Sequence, residues 1–482
     1  MLDKRLTACA ELVGGEGIVC DVGTDHAYLA AELITSGKCS KVIASDVKEG
    51  PLASAKATVE KYGIADKVEL ILSDGLKNVS LDGVSDIVIA GMGGETIAAI
   101  IGGIEKLPYS VVRFILQPMT KPELLRKELY KLGFTITEER TVEESGKLYV
   151  IMLVDARSGF EGWLTETESI YGFFDGESGR QYRQNESERL SKIAVSLEKA
   201  GKQSDATHYE ALAYRMKNGT GVEEIDDVIA YLNSLYPFNL QEKWDNSGYL
   251  VESRGTEVSK ILLTLDITNE AVMEADLKGA ELIISHHPVI FDARKRLLRT
   301  DPVYKLVQSG IGAVCMHTNL DIAYGGTNGV ILGKLKSAFG ISAAPEPFEE
   351  IGSENNLGWI VTLDEPADAE TFGKKIKEIF GCEYIRMSGR SKNQLSKIAF
   401  CSGSGGSMIG LAMAKGCDAL ITGDVKHDVW IDANNHNFAL YDCGHFHTEN
   451  IVLTELRRVL EEKFPQLDVE IAESSVDPCV YI

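Results

Sequence analysis

Short apolar runs alternating with amphipathic stretches organise the first third of the chain. Gly17–Gly23 (GIVCDVG) has strand length and closes on Asp21 and a glycine turn, and Ala27–Ser36 behind it has helical spacing. Lys41–Asp46 (KVIASD) predicts a second strand ending in an acid, with a helix over Pro51–Tyr62. Val68–Leu72 precedes Ser73-Asp74-Gly75, and Ser85–Ala90 precedes Gly91-Met92-Gly93-Gly94. Strands that alternate with helices and end in Asp or Gly predict a doubly wound, Rossmann-like α/β sheet, which binds ligands at its strand C-termini.

The pattern then changes. Leu190, Ile193, Leu197 and Ala200 recur at helical spacing, Gly201–Asp205 interrupts them, and a second helix with Leu212 and Met216 ends at Asn218-Gly219. This predicts an antiparallel helical hairpin. A new helix, Glu223–Leu235, follows Gly219-Thr220-Gly221 and marks a domain boundary. Beyond it the chain echoes itself. SKILLTLD (259–266) is followed by Lys278-Gly279 and the apolar run Glu281–Ile284, which ends at Ser285-His286-His287-Pro288; SKIAFCSG (396–403) is followed by Lys415-Gly416 and a run ending at Gly423-Asp424, with His427 beyond. Two strand–helix–strand units of matching layout predict a duplicated α/β domain whose strand ends converge on one cleft.

At 482 residues the chain is too long for one ordinary core. Its 44% hydrophobic and 25% charged residues are those of a globular protein. The apolar window Ile87–Ile104 is broken by Glu95 and glycines, so no membrane span or membrane partner is expected. The N-terminus has charges where a signal peptide needs its apolar run. Nine cysteines without a CxxC pair suit a reduced, cytoplasmic setting. A net charge of −23 argues against indiscriminate nucleic-acid binding. Arg180–Lys217 departs from it, with eight Lys/Arg against five acids, a local excess of +3. Together with Arg126, Lys127 and Lys131 these cations suit a grip on a polynucleotide backbone; a solvated linker face is the equally weighted alternative.

The candidate chemistry of the second half is a set of imidazoles and carboxylates. His286 and His287 stand at a strand end, His317-Thr-Asn-Leu-Asp321 follows, and Gly444-His445-Phe-His447-Thr-Glu449 comes last. If the chain turns helical at Gly444, His445 and Glu449 share a face. Neutral imidazoles with carboxylates and no sulfur suit divalent Zn, Mn, Fe or Co. His286, His287, Asp321, His445 and Glu449 exceed what one tetrahedral ion needs, so two ions about 3.5–4 Å apart, with one carboxylate bridging, are expected. His317 is expected as a partner of Asp321, His447 as an exposed residue, and His427 as only an approximate match to the duplicated histidine position.

In the first half the turn after the first strand is Gly23-Thr24-Asp25-His26-Ala27, with aspartate where a dinucleotide motif needs its second glycine. A carboxylate repels a pyrophosphate and attracts a sulfonium, so S-adenosylmethionine is favoured over NAD. Asp46, 25 residues after Asp21, stands where such folds place the acid that grips a ribose. Asp25 also suits a helix N-cap. Gln117-Pro118 reads equally as a strand-terminating turn and as a substrate contact.

DVGTDHAYL (21–29), ASD (44–46), SDGL (73–76), IAGMGG (89–94) and LQP (116–118) together resemble the bacterial tRNA adenine-22 N1-methyltransferases of the TrmK type, over residues 1–155. The resemblance implies cofactor contacts from Asp21, Gly23, Asp46, Asp74 and Gly91, a catalytic role for Asp25, and tRNA as partner. It extends to a helical extension after the catalytic domain. Adenine N1 carries an unprotonated lone pair at neutral pH, so an acid here would serve to hold the exocyclic amine and stabilise the cation formed by methylation.

From residue 221 onward the chain resembles the dinuclear-metal proteins of the type 2 GTP cyclohydrolase I (Nif3-like) family, on the candidate ligands with WDNSG (244–248), HTNLD (317–321) and TGD (422–424). This implies two bridged metal ions, a small-molecule or nucleotide substrate and a hexameric ring. Pro345–Gln394, between the duplicated halves, is too short for the larger insert some members carry. The expected organisation is a methyltransferase (1–155), a helical hairpin (156–220) and a dimetal domain (221–482). The rival readings are a non-catalytic, metal-dependent scaffold in the second half, and a cofactor sensor in the first.

Overall fold

The computed structural model describes residues 2–480 apart from Glu16, Ser158, Phe160, Glu161, Asp175 and 352–354. The predicted Pro345–Gln394 segment therefore includes three residues outside the described ones. The chain forms two compact units, Met1–Ile193 with Leu212–Gly219, and Ala194–Ala211 with Thr220–Ile482. No helix among the described residues is long and apolar enough to cross a membrane.

The first unit is built on a seven-stranded sheet. Its order is Val68–Leu72, Lys41–Asp46, Ile18–Val22, Val84–Gly93, Arg113–Thr120, Lys147–Asp155 and Thr135–Glu144. The first five strands are parallel and the last two antiparallel. Val19, Val42, Val88 and Ile115 pack one face, and Cys20, Ile43, Ile87, Ile89, Phe114 and Leu116 the other. Burial on both faces explains why these strands read as continuous apolar runs rather than alternating ones. The strand order reverses beside Ile18–Val22, and there the C-terminal ends open into a cavity.

Helices Gly176–Lys199 and Gln203–Asn218 form the predicted hairpin, whose tip groups with the second unit and whose base groups with the first. Within the second unit, Ser204 Oγ donates to Thr454 O at 2.8 Å, and buried His208 Nδ1 lies 2.8 Å from Glu461. Fewer of the hairpin's eight cations are free than their number suggests. Arg215 is fully buried, Arg189 pairs with Glu186 at 2.7 Å, and Arg183 lies over the Tyr171 ring.

The second unit contains the duplication as two sheets. One is ordered Asp468–Ile471, Lys260–Thr264, Leu282–Ser285, Gly312–Cys315, Gly248–Val251; the other Glu346–Glu350, Asn356–Asp368, Gln394–Phe400, Ala419–Thr422, Ala439–Asp442, Arg386–Met387. Each has a parallel trio at its centre. The described part of Pro345–Gln394 is no idle linker: Asn356–Asp368 pairs antiparallel with Gln394–Phe400, and helix Ala369–Phe380 buries Phe372 and Ile376.

Candidate functional site

In the second unit, strand Leu282–Ser285 delivers His286 and His287, and its parallel neighbour Gly312–Cys315 leads to His317. Asp321 lies in helix Thr318–Ile322. From the second sheet, Ala439–Asp442 leads to His445, the first residue of helix His445–Asn450, and one turn later that helix presents Glu449. The side chains converge. Glu449 Oε2 lies 2.9 Å from His287 Nε2, 2.9 Å from His445 Nε2 and 3.6 Å from His286 Nε2. His286 Nε2 is also 3.7 Å from Asp321 Oδ2, and His445 Nε2 is 3.3 Å from His287 Nε2.

Each imidazole is held by its other nitrogen. Nδ1 of His286 meets Met316 O at 2.8 Å, Nδ1 of His287 meets Asp266 at 2.8 Å, and Nδ1 of His445 meets Asp424 at 2.8 Å. In the neutral imidazole that arrangement puts the proton on Nδ1 and leaves the lone pair on Nε2, as metal-ligating histidines require. His286 Nε2 is buried without a hydrogen-bond partner, an expensive position for a lone pair that nothing engages. Among the described residues, three donor groups are compact enough for an ion: the all-imidazole set His286, His287 and His317, and two sets that include a carboxylate, His287 with His445 and Glu449, and His286 with Asp321 and Glu449. The two carboxylate-bearing sets suit an ion each. Glu449 is common to both. Gly403, at φ +60, makes room for it, since a Cβ there would stand 2.1 Å from Glu449 Oε1.

The electrostatics match a site that stores positive charge. Burial opposes a charged His287, but hydrogen bonds to Asp266 and Glu449 outweigh it and push the imidazole to about 10. The hydrogen bond to Glu449 raises His445 to about 9 against its burial. Burial also works against the Glu449 carboxylate, yet the three imidazoles hold it well below the usual range. Protons and cations compete for these Nε2 atoms.

His317 departs from its expected role. Its Nδ1 binds Asp245 at 2.6 Å rather than Asp321, and its ring lies 5.3 Å from that of His286 and 5.5 Å from that of His287. Asp321 instead accepts from Ser402 Oγ at 3.1 Å. His447 is mostly buried and lies 3.4 Å from Asp477, not exposed. Asp245, Asp266 and Asp424 were given no role by the sequence, although they lie in or end WDNSG, SKILLTLD and TGD. Only the fold places each against an imidazole. Beside His287 and Asp266 a cavity of about 430 Å³ opens, lined also by Arg294, Phe446 and Ser475.

In the first unit, a cavity of about 470 Å³ brings together Asp21, Gly23, Asp25, Gly91 and Gln117. Backbone amides of Gly23 and Thr24 both donate to Ser45 O, at 2.8 and 2.9 Å, which fixes the turn beside Asp46. Asp46 stands at the end of its strand and accepts from the Lys48 amide at 2.8 Å; Ser73 N donates to Asp46 O. Asp74 does not line this cavity: it is exposed, pairs with Lys77 at 2.6 Å and lines a different one. Asp25 is not the helix cap. That position is Ala27, at φ 53, and the Asp25 carboxylate is 77% exposed, 3.4 Å from His26.

Two candidate tRNA contacts are corrected by their burial. The Arg126 side chain is fully buried, 2.7 Å from equally buried Glu139, and donates to Ser169 O, so it reaches no external phosphate. Gln117 is buried with its amide engaged, Oε1 accepting from the Gly91 amide at 3.1 Å and from Arg5, Nε2 donating to Pro118 O. It positions the Gly91 turn. Lys127 is half-buried, and exposed Lys131 lies over the Trp163 ring.

Burial, opposed by a hydrogen bond from Thr24 and reinforced by Asp46, raises Asp21 to about 6. The folded pKa lies above the unfolded one, so this group favours folding below about pH 4 and loses that contribution as pH rises through about 6. Asp21→Asn is therefore expected to stabilise the ligand-free protein by up to ~3 kcal/mol at pH 7.5 and by almost nothing at pH 4. Urea titrations at both pH values check this; an equal effect at both would show that the carboxyl carries no such penalty.

Comparison with known proteins agrees with both halves. The sequence model of the Duf34/NIF3 (NGG1p interacting factor 3) family matches residues 223–479, and that of a methyltransferase domain matches 2–152. A GTP cyclohydrolase 1 type 2 homolog from Clostridium perfringens is 32% identical over 266 residues, covering 54% of this chain and all of that protein. A tRNA (adenine(22)-N(1))-methyltransferase from Bacillus subtilis is 37% identical over 156 residues, 32% of this chain and 65% of that protein. The solved structure of the Bacillus subtilis tRNA methyltransferase TrmK aligns with a TM-score of 0.42 and 28% identity, over 45% of this chain and 99% of that one. The N-terminal third thus carries a methyltransferase domain with tRNA methyltransferase homologues, fused to a GTP cyclohydrolase type 2-like domain. By the family model that spans more than half of its length, the chain belongs to the Duf34/NIF3 family.

Proposed function

We propose that the first third, residues 1–155, is an S-adenosylmethionine-dependent methyltransferase that methylates N1 of adenine 22 in tRNA. The observation that carries this reading is the cavity uniting Asp21, Gly23, Asp25 and Gly91 at the point where the strand order reverses. S-adenosylmethionine would supply an electrophilic methyl group. A desolvated Asp21 carboxylate there suits the cationic half of that cofactor, and Asp46 suits its ribose. Exposed Asp25 at the cavity suits the exocyclic amine of adenine and the cation formed by methylation. The hairpin, 156–220, with Lys127 and Lys131, is the proposed tRNA-facing surface. Nucleoside mass mapping of tRNA from a strain lacking this protein is expected to show unmethylated adenine 22. An unchanged level of N1-methyladenine there sinks the transferase reading and leaves a cofactor sensor.

For the second half, 221–482, we infer a two-ion centre of Zn, Mn, Fe or Co and a hydrolase-like activity on a nucleotide or phosphoester. The carrying observation is that three imidazoles, each anchored through Nδ1, turn Nε2 to one buried carboxylate. His287 and His445 would hold one ion and His286 and Asp321 the other, with Glu449 shared. Such ions supply Lewis acidity for hydrolysis. The chain's own contribution is to fix the ligand directions and to keep Glu449 ionised. The resemblance of this half supports a hexameric ring, and nine unpaired cysteines support a cytoplasmic location. If a His286→Ala/Glu449→Ala variant loses its metal but keeps parent rates on GTP and phosphodiesters, the hydrolase reading fails and the metal serves assembly alone.

A further inference from the structure

Beside the imidazole cluster stands a surface that neither proposed activity has used. The His317 ring is flanked by Trp244 at 6.0 Å and Phe291 at 6.4 Å between centroids, and those two rings lie 6.0 Å apart. Both are large apolar groups left in solvent, 58% and 47% exposed. Asn246 Nδ2 donates to Ile290 O at 2.6 Å and locks the two loops that carry them. Directly after Phe291 the chain is exposed through residue 300 and holds Arg294, Lys295, Arg296 and Arg299. Arg294 is engaged by Asp301 at 3.1 Å and by Val289 O. Lys295, Arg296 and Arg299 have no partner among the described residues. Three unpaired cations within five residues stand out in a chain with 49 basic and 72 acidic residues.

Flat aromatic faces next to unpaired cations have a specific complement. Unpaired bases stack on such rings while basic side chains track the backbone phosphates. A duplex hides its base faces, and an acidic peptide would use the cations but not the rings. A mononucleotide keeps its phosphates on one sugar, whereas these cations are spread over five exposed residues of the loop that follows Phe291.

We propose that Trp244 and Phe291, with Lys295, Arg296 and Arg299, form a binding platform for a single-stranded polynucleotide. The strand would lie one ring's width from His286 and His287, separated from them by His317. This names the substrate class of the cluster and rests, for chemistry at that cluster, on the two-ion reading; the binding itself does not.

The test uses the full, metal-loaded chain and a labelled, unstructured oligonucleotide of about eight residues, as RNA and as DNA, read by anisotropy. Trp244→Ala is expected to weaken binding about tenfold. The triple variant Lys295→Ala/Arg296→Ala/Arg299→Ala is expected to lower the slope of log affinity against log salt by roughly 2, at about 0.7 for each lost phosphate contact. S-adenosylmethionine affinity and metal content should match the parent, which shows that the variants fold. The RNA and DNA arms decide which sugar is preferred. The proposal is overturned if neither variant changes oligonucleotide affinity, if GTP alone uses these residues while oligonucleotides do not bind, or if the variants change only the native mass. A purified chain that takes up no divalent metal yet binds the oligonucleotide through Trp244 would sink the two-ion reading and leave the platform standing.

Discussion

Glu449→Ala is expected to take the metal content of the purified protein from about two ions per chain to about none. Two of the three compact donor groups contain a carboxylate, and Glu449 is the member those two share. Its Oε2 is the anion within 2.9 Å of both His287 and His445, and it lies 3.6 Å from His286. Without it, three imidazoles face one another and only Asp321 remains to offset two dications. Variants of non-shared ligands should behave differently: His445→Ala is expected to lose one ion and keep the other. Asp266→Asn and Asp424→Asn, which release the Nδ1 anchors of His287 and His445, are expected to weaken metal binding by about 10–100-fold. Elemental analysis after gel filtration, with native mass from the same run, gives ion count and assembly together. Two ions retained in Glu449→Ala would show that the groups are not joined through this residue.

Arg126→Ala is expected to destabilise the first unit by about 3–5 kcal/mol, the cost typical of stranding one partner of a buried ion pair. Arg126 and Glu139 are both fully buried. The guanidinium also donates to Ser169 O and lies over the rings of Phe174 and Tyr182, about 5.4 and 5.5 Å away. Removal leaves the Glu139 carboxylate without its cation and opens a cavity under the helix Glu166–Tyr171. An apolar pair of similar volume, Arg126→Met with Glu139→Leu, is expected to recover much of the loss. Denaturant unfolding followed by S-adenosylmethionine-dependent signals separates this unit from the other. A fully stable Arg126→Ala protein with weakened tRNA binding would restore Arg126 to the surface role that its burial excludes.

Much of this molecule is legible along the chain because its strands are buried on both faces. Ile18–Val22, Lys41–Asp46 and Leu282–Ser285 stand within a residue of where apolar runs placed them. The His445–Glu449 pair depended only on helical geometry, and helix His445–Asn450 supplies it. Charge was a poorer guide. Arg126, Lys127 and Lys131 look alike in sequence, yet one is a core residue, one half-buried and one exposed. Cations are assigned to surfaces by default, and nothing in a five-residue window reveals a carboxylate thirteen positions away waiting to neutralise one. Asp25 likewise suits a helix cap by spacing, whereas the turn takes a left-handed Ala27 and leaves the acid exposed beside His26.

The two α/β halves, the duplicated strand ends and the residue types that meet there are written along the chain. All of these follow from local periodicity and from turn chemistry next to it. Which side chains touch depends on the folded arrangement. It set Asp245, Asp266 and Asp424 behind three histidines, gave His317 to Asp245 instead of Asp321, and turned Gln117 inward onto Gly91. Those pairings join residues 21 to 72 positions apart, brought together by parallel strands that end on one side of a sheet. Register between strands, not spacing along the chain, fixes such distances, and only the folded molecule supplies it.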